Sequence, residues 1–203
     1  MSEPRVCVLV PSGGHWEAGF GYDLCKAMAW TASAGVSLNL FNVQGSILPS
    51  NRDQLVTAGK ESGATHFMWF DDDMRFPKDT ILRLLEHDKE IVCANYRMRN
   101  KSNKFTAYAQ GVGYIPTTPD SEGLEKVTSV GFGVLMCKAS AFEKIDRPYF
   151  IIGFNEKTGD YVIDDGFCCI KWHEAGIELF VDHDLSKEVK HIATAELSVD
   201  GNY

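Results

Sequence analysis

A mixed α/β fold, doubly wound in its first half and antiparallel in its second, is predicted by three observations. Short apolar runs at Val6–Val10, His66–Phe70 and Ile91–Tyr96 have the near-continuous hydrophobicity of strands buried on both faces. Between them, apolar residues recur at helical spacing. After residue 100 the apolar runs shorten and are separated by Gly, Pro and Asp, the pattern of short antiparallel strands.

The elements follow in order. Val6–Val10 is a strand, and Pro11-Ser12-Gly13-Gly14 forms a turn at its carboxyl end, where open α/β sheets place ligands. No Gly-Lys-Ser/Thr follows, so the turn is not a Walker loop. Phe20, Leu24, Ala27 and Met28 lie on one helical face, Gly35 marks the exit, and Val36–Val43 is the next strand. Ser50-x-x-Asp53 reads as a capping box for a helix carrying Leu55, Val56 and Gly59 and ending near Gly63. His66–Phe70 is a third strand, followed by a helix from Pro77 to about His87 and the strand Ile91–Tyr96.

In the second half, Phe105–Ala109, Val112–Ile115, Leu124–Val130 and Val134–Cys137 read as antiparallel strands, and Ser140-x-x-Glu143 begins a short helix. Tyr149–Phe154 and Tyr161–Ile163 flank a hairpin-like Asn155-Glu156-Lys157-Thr158-Gly159. Asp164-Asp165 caps a helix that Gly176 ends, and Ile177–Val181 closes the core.

With 203 residues and 44% hydrophobic content, one domain is expected, spanning residues 1–203 with halves at 1–100 and 101–203. No apolar run reaches membrane-span length, and the first residues lack a signal-peptide pattern, so a soluble, cytoplasmic protein is expected. The six cysteines show no Cys-x-x-Cys spacing, which argues against zinc and against a disulfide framework. A net charge of −8 excludes general binding to a phosphate backbone by the whole surface. One local exception is Tyr96–Lys104, with four cations in nine residues; it reads as a solvated loop or as a contact for a phosphate-bearing partner.

The most informative feature is the junction of the His66–Phe70 strand with Asp71-Asp72-Asp73. One Asp would suffice as a turn former or helix cap, whereas three in a row repel one another and call for a counter-ion. Asp71 and Asp73, spaced Asp-x-Asp, offer hard oxygen ligands suited to Mg²⁺ or Mn²⁺, ions usually shared with substrate phosphates. The expectation is a metal-diphosphate site.

The order of these motifs resembles the GT-A class of nucleotide-sugar glycosyltransferases, near its family-2-like group. The resemblance is carried by the Pro11-Ser12 loop, Arg52, Phe70-Asp71-Asp72-Asp73 with Phe76-Pro77, Ser129-Val130-Gly131-Phe132-Gly133, Asp164-Asp165-Gly166 and His191. It implies a GT-A-like fold and a UDP- or GDP-sugar donor. Asp71 and Asp73 would hold Mn²⁺ or Mg²⁺, Asp72 would touch the ribose, and Pro11 and Ser12 would lie beside the base. Arg52 would be near the diphosphate or base, or else be a surface charge. Asp165, with Asp164 as neighbour, would be the base of an inverting transfer. His191 would complete the metal shell, His183 being the other candidate, and Gly131 and Gly133 would let the backbone approach the sugar. Compact bacterial or phage transferases share this small size, and a glycan, a protein or a modified nucleic acid could be the acceptor.

Three other functions fit parts of the pattern. A haloacid-dehalogenase-type phosphotransferase would use Asp71 as nucleophile, but that family places its motif on the first strand. A nucleotidyltransferase would use a similar metal site, and a non-catalytic nucleotide- or carbohydrate-binding module would keep the cleft without turnover.

Overall fold

The structure is a computed structural model and describes residues 3–99, 104–156 and 159–193. In chain order its elements begin with β1 (Arg5–Ser12), α1 (Ala18–Ser33), β2 (Ser37–Gln44), α2 (Leu48–Glu61) and β3 (His66–Phe70). There follow β4 (Met74–Arg75), α3 (Thr80–Glu86), β5 (Ile91–Cys93), β6 (Tyr108–Ala109), β7 (Gly113–Tyr114), β8 (Leu124–Val127) and β9 (Val134–Lys138). A 3-10 turn at Ala139–Phe142 leads to β10 (Gly153–Asn155), β11 (Asp160–Val162), α4 (Asp164–Glu174), β12 (Leu179–Asp182), α5 (His183–Ser186) and β13 (Lys190–His191).

Seven strands form one sheet in the order β2-β1-β3-β9-β5-β12-β8. β9 and β8 run against the other five, as the antiparallel pairings β3–β9, β5–β9 and β12–β8 show. β9, from the second half of the chain, therefore separates two strands of the first half, and both halves share one sheet.

The period-two alternation of the strands divides the interior into two layers. Cys7, Leu9, Phe67, Trp69, Leu135 and Cys137 face α2 and α4, packing on Leu55, Val56, Cys168 and Trp172. Val6, Val8, Val10, Met68, Phe70 and Met136 face α1 and α3, packing on Phe20, Leu24, Ile81 and Leu84. Trp172 stacks on Phe132 at 5.4 Å, so this aromatic is a core residue.

Several boundaries differ from the sequence expectation. α2 starts at Leu48, with Pro49 in its first turn, so Ser50 is inside the helix and caps nothing. Asp53 instead accepts a hydrogen bond from the Tyr149 backbone N–H at 3.1 Å. Pro77 lies outside α3, whose first helical residue is Thr80. Neither Asp164 nor Asp165 caps α4: Ile163 holds the cap position without a side-chain bond, and the two acids occupy the first turn, where the helix dipole favours negative charge. The second-half strands are shorter than their apolar runs: β6 and β7 form a two-residue ribbon, tied to the chain after β8 by an isolated bridge between Tyr108 and Ser129. Lys157 and Thr158 of the hairpin-like segment lie outside the described residues.

Candidate functional site

The carboxyl ends of the parallel strands β1 and β3 open into a cleft of about 470 Å³. Asp71, Asp72, Asp73, Asp164 and Asp165 all line it, although the two groups lie more than ninety residues apart in sequence. Pro11, Ser12, Arg52 and His191 line it too. Backbone bonds fix the acidic turn: the Asp71 N–H donates to the Gly133 carbonyl at 3.1 Å, and the Met74 N–H to the Asp71 carbonyl at 3.3 Å.

His191 reaches the turn through the short ladder β4–β13, in which it pairs with Met74. Its Nδ1 lies 2.9 Å from the Arg97 carbonyl, an acceptor only, so Nδ1 carries a proton. Its Nε2 is 3.4 Å from Asp73 Oδ2, to which Arg99 also donates at 2.9 Å. Burial alone would lower the His191 pKa, but the bonds to Asp73 and to the Arg97 carbonyl outweigh it and hold it above the ordinary value. Burial likewise would raise Asp73, yet His191 and Arg99 bring it below the usual carboxylate range. Asp72 moves the other way, raised by burial and by its two acidic neighbours against the opposing effect of Ser12. His183, by contrast, is buried between Thr117 and Glu125, at 2.9 and 2.8 Å, and does not line the cleft.

Arg52 ties the two acidic groups together. It is 2% exposed; Nη1 donates to Asp164 Oδ2 at 2.7 Å and Nη2 to Asp71 Oδ1 at 3.1 Å. Its guanidinium lies 5.2 Å from the Phe132 ring centroid. Arg52 is thus no surface charge, and part of its donor fork is spent inside the protein. Asp165, at the next position, is half-buried, and its carboxyl is pushed up to about 6 by burial and by Asp164 and Asp71, against the pull of Arg52. A carboxylate so placed can take up a proton near neutral pH.

Gly131 and Gly133 have a different explanation from the expected one. Neither lines the cleft. A Cβ at Gly131 or Gly133 would lie 2.4 or 2.5 Å from the Tyr96 hydroxyl, so the close approach that demands glycine is made by a protein side chain. The Tyr96 hydroxyl accepts the Gly133 N–H at 2.9 Å, and Tyr96 itself lines the cleft.

Sequence reasoning missed Asn51, Tyr96 and Arg99. Asn51 is buried and donates to the Gly45 carbonyl at 2.9 Å, joining the loop after β2 to α2 beside the cleft. Arg99 belongs to the basic run that read as a solvated loop or as a contact for a phosphate-bearing partner; its side chain is 56% exposed and meets Asp73, while residues 100–103 lie outside the described residues. The signal was present in the position of the run, directly after a buried strand.

Asp73 provides the test of whether these donors suit a divalent cation. Its Oδ2 is engaged, but Oδ1 is buried with no hydrogen-bond partner among the described residues. A desolvated carboxylate oxygen without a donor is costly, and a hard cation would satisfy it. Among the described residues no three His, Cys, Asp or Glu side chains form a ready cage. The donors therefore fit an ion that completes its shell with water and substrate phosphate.

No family model and no curated protein matches this chain. Among solved structures, A197 from STIV matches with a TM-score of 0.59 and 14% identity, over 98% of this chain and 92% of that one. At that identity the likeness is one of fold. A glycosyltransferase involved in the glycosylation of the major capsid of PBCV-1 matches with a TM-score of 0.37 and 14% identity, over 72% of this chain and 69% of that one. A putative glucose-1-phosphate thymidylyltransferase from Bacillus anthracis matches with a TM-score of 0.46 and 11% identity, over 92% of both chains. At those scores neither likeness carries an argument about this chain. Among the described residues no helix is long and apolar enough to cross a membrane.

Proposed function

We propose that this chain is a GT-A-like, metal-dependent glycosyltransferase that moves a sugar from a nucleotide-diphosphate donor to a hydroxyl acceptor with inversion. The observation that carries the reading is the meeting, in one cleft, of an acidic turn with an unsatisfied buried oxygen and a second acidic pair containing a carboxyl raised to about 6.

In this reading Asp71 and Asp73, with His191, hold Mn²⁺ or Mg²⁺, which would neutralise the charge of the departing diphosphate. Pro11 and Ser12 flank the base, and Asp72 faces the ribose. Asp165 takes the proton from the attacking hydroxyl, and Asp164 holds Arg52, which in turn fixes Asp71. Arg52 is a positioning residue: its two terminal nitrogens each donate to one of the acids it spans.

Incubation of the protein with UDP- and GDP-sugars, with and without Mn²⁺, tests the reading. Metal-dependent release of nucleoside diphosphate supports it. Release of pyrophosphate from a sugar phosphate and a nucleoside triphosphate would make the chain a nucleotidyltransferase instead. Asp165→Asn should bind donor as before and lose transfer by about 10²-fold or more.

A further inference from the structure

Tyr96, Met98, Arg99 and His191 form a wall with the acidic cleft on one side and a second cavity, of about 700 Å³, on the other. The two sides differ in charge. The cleft lining carries five carboxylates, whereas the described lining of the second cavity carries Arg97, Arg99, Lys187, Lys190 and His191 and no carboxylate. In a chain of net charge −8 this is a local reversal of sign.

Lys187 and Arg99 keep solvent-exposed side chains despite their ion pairs. Lys187 meets Asp184 at 2.9 Å on an exposed turn, and Arg99 meets Asp73 at 2.9 Å with its side chain 56% exposed. The Lys187 pair is open to solvent and holds weakly, so it exchanges readily for a better anion, whereas Arg99 reaches a buried carboxylate with a side chain that is itself half-exposed. The Arg97 guanidinium carbon lies 4.7 Å from the Phe105 ring centroid, which holds this cation at the lining. Thr118 adds a hydroxyl to the same lining. Forked arginines and point-charge lysines around one space match the several oxygens of a phosphate group.

We propose that this cavity binds the phosphate-bearing part of the acceptor. The inference rests on the transferase reading, in which the donor's diphosphate is accounted for by the acidic cleft and its cation. The second cavity, larger than the cleft and across a shared wall, then remains for the other substrate. Its chemistry selects a phosphorylated molecule over a neutral glycan.

Isothermal titration of the full chain with inorganic phosphate tests the proposal. Wild type should bind phosphate saturably, and Lys187→Ala/Lys190→Ala, at two surface positions, should weaken binding about tenfold or more, as expected for lost charge-assisted contacts. Phosphate binding should persist in the presence of saturating Mn²⁺ and sugar nucleotide, and donor binding should be the same in the double variant. Absence of saturable binding, or an affinity untouched by the two substitutions, would overturn the proposal. Competitive displacement of phosphate by the donor would also overturn it, by making the cavity part of the donor's site. If donor uptake fails while phosphate still binds, the transferase reading falls, and the acceptor assignment falls with it.

Discussion

Arg52 is where a single residue matters most. A buried cation between two carboxylates leaves uncompensated charge when it is removed, and such losses cost about 3–5 kcal/mol. Arg52→Met should therefore lower unfolding free energy by about that amount in urea titrations, and adding Asp164→Leu should recover part of it without restoring activity. Asp165 makes a second prediction at this scale. Burial pushes its folded pKa up to about 6, above the ordinary 3.8, so the native state holds its proton more tightly than the unfolded chain does. The group's contribution is thus favourable at low pH and is lost as pH rises through about 6, a penalty on the order of 3 kcal/mol at neutral pH. Melting curves in EDTA should show Asp165→Asn gaining on wild type between pH 4 and pH 7; a constant gap would refute the raised carboxyl.

Among the elements, the contact of the β9 entrance with Tyr96 fixes the rear of the cleft. Gly133→Ala would force a Cβ to 2.5 Å from the Tyr96 hydroxyl, and overpacking of this kind costs about 1–3 kcal/mol. Tyr96→Phe removes the nearer of two clashing atoms but leaves the ring Cζ at 2.7 Å, and it also removes the acceptor of the Gly133 N–H; with both substitutions sharing that contact, the double variant should be more stable than the two single losses summed, as a thermodynamic cycle would measure. The strands β1 and β3 were legible in the sequence because burial on both faces leaves an unbroken apolar run. The start of α2 was not, because Ser50 and Asp53 have capping chemistry while Pro49 sets the actual first turn. The acidic turn was legible as a cluster of like charges. Its counter-ion Arg52 was not, since its partners are 19 and 112 residues away and no local pattern encodes that distance. The glycines before β9 signalled a close approach correctly in kind, yet sequence could not say that Tyr96 makes it.

Across the whole molecule, charge sets a further test. A chain with 28 acidic and 20 basic residues gains modestly from any screening salt, whereas the cation proposed at Asp71 and Asp73 would stabilise by mass action. Mn²⁺ at about a hundred times its dissociation constant should add about 2.7 kcal/mol, beyond the effect of sodium chloride at equal ionic strength. Asp73→Asn should abolish that excess in thermal melts.

The insertion of β9 between β3 and β5 bears on synthesis of the chain. A ribosome that has extruded only the first hundred residues presents β3 with a bare hydrogen-bonding edge, because the strand that covers it is still to be made. Until Val134–Lys138 emerges, that apolar ribbon can pair with a neighbouring nascent chain, so a stalled or truncated product should precipitate rather than persist in solution.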